Sequence, residues 1–108
     1  MREIPEQQIA AMAPNANAVN NARKIVKSGG FTEHARSEDD TFYMGSCKGS
    51  GSSAYRVTLD FADNDAPVCR CSCPSRQFPC KHGLALMMEL SQGRHWDICD
   101  IPQDILDK

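Results

Sequence analysis

The stretch Val68-Cys69-Arg70-Cys71-Ser72-Cys73-Pro74-Ser75-Arg76-Gln77-Phe78-Pro79-Cys80-Lys81-His82-Gly83 decides how this chain of 108 residues is read. Alternate residues of an extended chain point to the same side. Cys71 and Cys73 therefore aim both sulfurs at one place, and Cys69, which shares the alternation, makes Cys69 and Cys71 the other available pair. Pro74 ends the extended run, and the loop holding Pro74 and Pro79 returns the chain to Cys80 and His82. Three thiolates and one imidazole suit tetrahedral Zn2+, with Zn–S of about 2.3 Å and Zn–N of about 2.0–2.1 Å. Soft donors disfavour magnesium and calcium, and iron–sulfur clusters usually take four cysteines. Four protein ligands leave no position for water or substrate, so the spacing predicts a closed, structural zinc.

Cys47 and Cys99 stand apart from this cluster and are expected to be small buried residues rather than ligands. A disulfide framework fits poorly, because neighbours in C-x-C do not bridge each other without strain. The polar start, Met1-Arg2-Glu3-Ile4-Pro5-Glu6-Gln7-Gln8, does not look like a secretory leader. A reducing, cytoplasmic location is the simplest expectation.

Upstream, Tyr55, Val57, Leu59 and Phe61 alternate with Arg56, Thr58 and Asp60, the pattern of a half-buried antiparallel strand. Thr41 to Cys47 reads as a second strand and Phe31 to Arg36 as a weaker one, with a turn at Ser37-Glu38-Asp39-Asp40. Lys48 to Ser53 is a Gly/Ser connection. Asp63-Asn64-Asp65-Ala66-Pro67 is turn chemistry, lacking the twelve-residue calcium loop. Further toward the N-terminus, Pro5 to Ala13 and a segment capped by Asn15 or Asn17 and running to about Ser28 read as helices, the second stopped by Gly29-Gly30. Downstream, Gly83 to Leu90 is a helix apolar nearly all round, which must be covered on most sides. Trp96, Ile98, Ile101, Ile105 and Leu106 then form a closing segment, with Pro102 opening a last short helix.

The expected fold is a small α+β domain: a helical segment over 1–30, a β-meander of about three strands with a zinc-bound ββα unit over 31–93 (metal loop 69–82, helix 82–92), and a closing segment over 94–108. One core is all that this length supports. Hydrophobic residues are 41% and charged residues 24%, so disorder is not expected, but aromatics are only 6%. A structural zinc, whose binding in finger peptides corresponds to roughly 10–16 kcal/mol, would make up for a thin core. No apolar run approaches the roughly 20 residues that span a bilayer, so no membrane association is expected.

The motifs Cys71-Ser72-Cys73-Pro74 and Cys80-Lys81-His82-Gly83 resemble the SWIM-type zinc finger, C-x-C, a variable spacer, then C-x-H, and look most like its bacterial members. The likeness extends upstream through Gly49-Ser50-Gly51 and Tyr55-Arg56-Val57-Thr58-Leu59-Asp60, over most of 45–91. It implies Cys71, Cys73, Cys80 and His82 as the zinc ligands, with Cys69 as the alternative. It also implies a ββα unit and a role in binding DNA or other proteins.

Net charge is −2 and the isoelectric point about 5.8, a handicap for a nucleic-acid binder. Yet Val68 to His95 carries Arg70, Arg76, Lys81 and Arg94 against Glu89 alone. Arg70, Arg76, Lys81 and Gln77 are therefore the candidate contacts to DNA or to a partner protein. Catalysis is not expected, nor a small-molecule substrate. There is no thioredoxin-like C-x-x-C, no H-E-x-x-H, no Gly-rich phosphate loop, and no Glu beside His82 to act as a base. His34 and His95 are expected in surface or packing roles, Trp96 as a core-closing aromatic, and Met87 and Met88 as packing residues.

Overall fold

The computed structural model describes residues 4–48, 54–61, 67–72, 80–92 and 95–101. Pro5 precedes α1 (Glu6–Met12), whose one buried residue is Ile9. Asn15 caps α2 (Ala16–Lys27), its Oδ1 accepting the Ala18 N–H at 2.9 Å. Lys24 and Lys27 lie in the last turn of α2, where the helix's negative end favours cations. The helix ends with Gly29 at φ +69°, a conformation that glycine adopts without strain, while the Gly30 N–H returns to the Ile25 carbonyl. An exposed ion pair between Arg23 and Glu6 ties α2 to α1.

The strands are β1 (Phe31–Arg36), β2 (Phe42–Lys48), β3 (Ala54–Asp60), β4 (Val68–Cys71) and β5 (Asp97–Ile98), in the sheet order β4-β3-β2-β1-β5. Neighbours pair antiparallel except β5, which runs parallel to β1. The molecule is thus α+β, but with a five-stranded mixed sheet rather than about three strands. β4 is the extended run expected at the cysteines, joined to the sheet as an edge strand, and β5 is an edge strand of two residues, too short to show an alternating pattern. Between β1 and β2 the chain turns with Asp40 at φ +61°, its carboxylate held by Arg36 and the Tyr43 hydroxyl.

Helix α3 (Lys81–Leu90) packs between the sheet and the other two helices, which covers it on nearly every side. Leu84, Ala85, Leu86 and Met87 are fully buried. Gly45 of β2 permits this close packing, since a Cβ there would lie 2.9 Å from Leu86 Cδ1 and 2.8 Å from Phe31 Cδ1. Around Tyr43, edge-to-face contacts to Phe61 (centroids 5.6 Å apart) and Trp96 (5.5 Å) gather the scarce aromatics at one end of the core.

β3 departs from the half-buried expectation. Thr58 and Asp60, on the side opposite Val57 and Leu59, are buried as well, so this central strand is covered on both faces at its far end. Trp96 and Met87 are core residues as expected and Met88 packs partly buried against that core, whereas Ile98 of the closing segment is exposed. The Gly/Ser connection, the Asp63–Ala66 turn, Gly93 and the helix expected after Pro102 lie outside the described residues.

Candidate metal centre

Register fixes the thiols. In the β3–β4 pair, Cys69 lies opposite Leu59 and Cys71 opposite Val57, both fully buried. Opposed residues of a pleated pair share a face, so both cysteines turn toward α3 and pack against the core. Ser72 locks the end of this pairing: its N–H donates to the Arg56 carbonyl (3.0 Å) and its Oγ accepts the Arg56 N–H (2.9 Å).

Cys80 is the N-cap residue of α3, its carbonyl accepting the Leu84 N–H at 3.0 Å, and His82 lies in the first turn. Both are buried. His82 Nδ1 sits 3.8 Å from Cys71 Sγ and 3.9 Å from Cys80 Sγ, and the three ligand atoms all lie within 4.8 Å of one another. The S···N edge of a tetrahedron built on the Zn–S and Zn–N lengths above is about 3.6 Å, so these atoms are close to the separations that zinc imposes. With soft donors at this spacing the residues fit zinc: Cys71, Cys80 and His82 would hold it. The Tyr55 ring, 5.0 Å from the His82 imidazole between centroids, packs beside the ligand ring.

The Cys80 thiol is pushed strongly down, toward thiolate. Hydrogen bonds from Cys69 and Cys71 are the main causes and outweigh burial, which acts the other way; His82 and the Gly83 N–H at the helix start add to them. A thiolate is the form that binds metal.

The described cysteines all carry free thiols. Cys73 lies outside the described residues, as do Arg76 and Gln77. Cys69 adjoins Cys80 as a neighbouring thiol. Arg70 and Lys81 are exposed, one on β4 and one at the start of α3. Cys47 is buried in the core, while Cys99 is only half-buried, its thiol raised by burial and by Asp100.

His95 is exposed beside Asp97. His34 is the residue that sequence reasoning undervalued. Its Nε2 lies 2.7 Å from Glu89 Oε1, its ring packs edge-on against Trp96 at 5.0 Å, and the side chains of His34 and Glu89 are 11% and 2% exposed. The signal was present in the helix itself: a lone carboxylate in an apolar run covered on all sides must find a buried partner. Helix α3 is therefore held at both ends, by the Cys71, Cys80 and His82 cluster at its N-terminal end and by His34 near its C-terminal end.

The SWIM zinc finger family model matches residues 55–90, the run from β3 through β4 to the end of α3. Those residues form a SWIM zinc finger, and the Cys71, Cys80 and His82 cluster lies within it. No curated protein and no solved structure matched the chain.

Proposed function

We propose that the chain is a non-catalytic recognition module, organised by a structural zinc on Cys71, Cys73, Cys80 and His82, that binds nucleic acid or another protein through the surface around the metal. The observation that carries this reading is the setting of the cluster. Its ligands would tie an edge strand to a core helix, Cys80 and His82 are buried, and the exposed cations of the same elements are Arg56 and Arg70, on the face of β3 and β4 opposite the cysteines, and Lys81 at the start of α3. When bound, zinc supplies cross-linking between β4 and α3. Cys71 and Cys80 supply thiolates, His82 supplies Nδ1, and the Tyr55 ring fills the space beside the imidazole. Arg70, on the face of β4 turned away from the cysteines, and Lys81, in the first turn of α3, are exposed and would be the cations to reach phosphates or acidic side chains.

A protein partner gains support from a second place. An open groove of about 340 Å³ between the helices is lined by Ile4, Ile9, Val26 and Met88, with Lys27 on its edge. The cytoplasm, which keeps thiols reduced, is the compartment that suits both readings.

Titration of the zinc-loaded protein with generic duplex DNA at 50 and 200 mM salt separates the partner classes. Nucleic-acid binding predicts affinity that falls steeply with salt, and in Arg70→Ala or Lys81→Ala a salt slope smaller by about one. No binding at either salt removes the nucleic-acid arm and leaves the protein partner. Turnover by the purified protein that survives Arg70→Ala but is lost in Cys69→Ser would overturn the non-catalytic reading.

A further inference from the structure

His82 can offer a metal only one of its two ring nitrogens here, and the geometry shows which. Its Nδ1 lies 3.8 Å from Cys71 Sγ and 3.9 Å from Cys80 Sγ, and these atoms form the group that meets within 4.8 Å. A half-turn of the imidazole about its Cβ–Cγ bond would replace Nδ1 with the Cδ2 carbon, which cannot ligate, so the site needs the ring held one way round. Helix α3 fixes the backbone of His82 in its first turn, but the ring has a separate neighbour. The Tyr55 ring lies 5.0 Å away between centroids at an interplanar angle of 53°, within the range of favourable aromatic contacts. Strand alternation puts Tyr55 on the face of β3 that carries Val57, the residue opposite Cys71, and β2 sets the buried Cys47 opposite Tyr55 itself. The phenol ring and the Cys71 thiol thus come to one face by strand register. His82 is 7% exposed, whereas Tyr55 is half-buried and stands outside the core cluster, so its truncation should spare the fold.

We propose that Tyr55 is a positioning residue for the metal: its ring holds the His82 imidazole with Nδ1 toward Cys71 and Cys80 and keeps water from that side of the ligand. This rests on the structural-zinc reading and deepens it. The thiolates supply charge, and Tyr55 supplies the orientation that decides how tightly and how long the ion is kept. Neighbours that orient a metal ligand typically change affinity by about 10–100-fold. A packed ring lacks the hydrogen bond that most such neighbours make, which places Tyr55 at the low end of that range.

Zinc binding by the full chain under anaerobic, reducing conditions, read by competition with a chromophoric chelator, would compare the parent with Tyr55→Phe, Tyr55→Leu and Tyr55→Ala. Long-range proton–nitrogen NMR of the zinc-loaded proteins identifies which nitrogen of His82 is on the metal. The expected result is Nδ1 in the parent and in Tyr55→Phe, whose affinities agree within about threefold because the ring is kept. Tyr55→Leu and Tyr55→Ala should bind about tenfold more weakly and release zinc to the chelator about tenfold faster. Leucine fills most of the volume without a flat face, so parent-like retention in Tyr55→Leu overturns the proposal, as does parent-like retention in Tyr55→Ala. Weak binding in Tyr55→Phe, or Nε2 on the metal in the parent, overturns it too. No zinc binding by the parent would instead overturn the structural-zinc reading on which it rests. Far-ultraviolet circular dichroism at saturating zinc separates a ligand effect from failure to fold, and should Tyr55→Ala not fold, the comparison of Tyr55→Phe with Tyr55→Leu decides.

Discussion

Replacing Glu89 with alanine should cost more than any other single truncation of a charged side chain among the described residues of this domain. Its carboxylate is 2% exposed and lies 2.7 Å from the Nε2 of His34, itself 11% exposed. Removing one member of a buried, hydrogen-bonded pair typically costs about 3–5 kcal/mol, because the partner stays buried without compensation. The small exposure of His34 lets water reach the orphaned imidazole and places the expected loss at the low end, about 3 kcal/mol. That is a large share of the roughly 5–15 kcal/mol that holds a domain of this size together. Urea unfolding of the zinc-loaded protein, followed through the fluorescence of Trp96, reports on this end of the core, since the indole packs against His34 at 5.0 Å. With a slope of about 1–2 kcal/mol/M the midpoint should fall by about 1.5–3 M, the slope itself unchanged. Exchanging both partners, His34→Leu with Glu89→Leu, should recover most of the loss, because replacing both members of a buried hydrogen-bonded pair by well-packed apolar groups is nearly neutral. A Glu89→Ala loss below about 1 kcal/mol would refute the view that this contact fastens the C-terminal end of α3.

Gly45→Ala should destabilise even though glycine in a strand is ordinarily the worse residue. The added Cβ meets Phe31 and Leu86 at 2.8–2.9 Å, and overpacking costs about 1–3 kcal/mol against a gain of about 0.4–1 from the unfolded chain. A fall in melting temperature of roughly 4–8 °C per kcal/mol is expected by calorimetry, and a rise would show that α3 has room to move away from β2. Asn15→Ala removes the cap of α2 and should cost about 1 kcal/mol in urea, whereas Asn17→Ala should cost less than half of that, because only Asn15 accepts the Ala18 N–H.

Much of this structure was legible because local chemistry and tertiary demand agreed. Asn15 and Gly29 bracket α2, the alternation from Tyr55 to Phe61 marks β3, and the spacing of Cys71, Cys80 and His82 brings strand and helix together at one point. What was hidden lay in contacts distant in sequence. β5 exists as a strand because β1 offers an edge to pair with, not because two residues carry a pattern. Thr58 and Asp60 look like a solvent face, and nothing local records that the sheet is covered there. The His34–Glu89 pair spans 55 positions; only the incongruity of a carboxylate among Leu84, Ala85, Leu86 and Leu90 hints at it. The extra thiol of Cys69 was visible in the spacing, but its contact with Cys80 required the strand register.

The central claim is that a metal ion joins β4 to α3, and metal content measured together with folding tests it most directly. Protein purified under reducing conditions should carry one zinc per chain by native mass spectrometry. Removing that zinc with excess chelator at neutral pH should abolish hydrogen-exchange protection from β3 through α3, and adding zinc back should restore it. A metal-free chain whose cooperative melt is the same with and without chelator would contradict the claim.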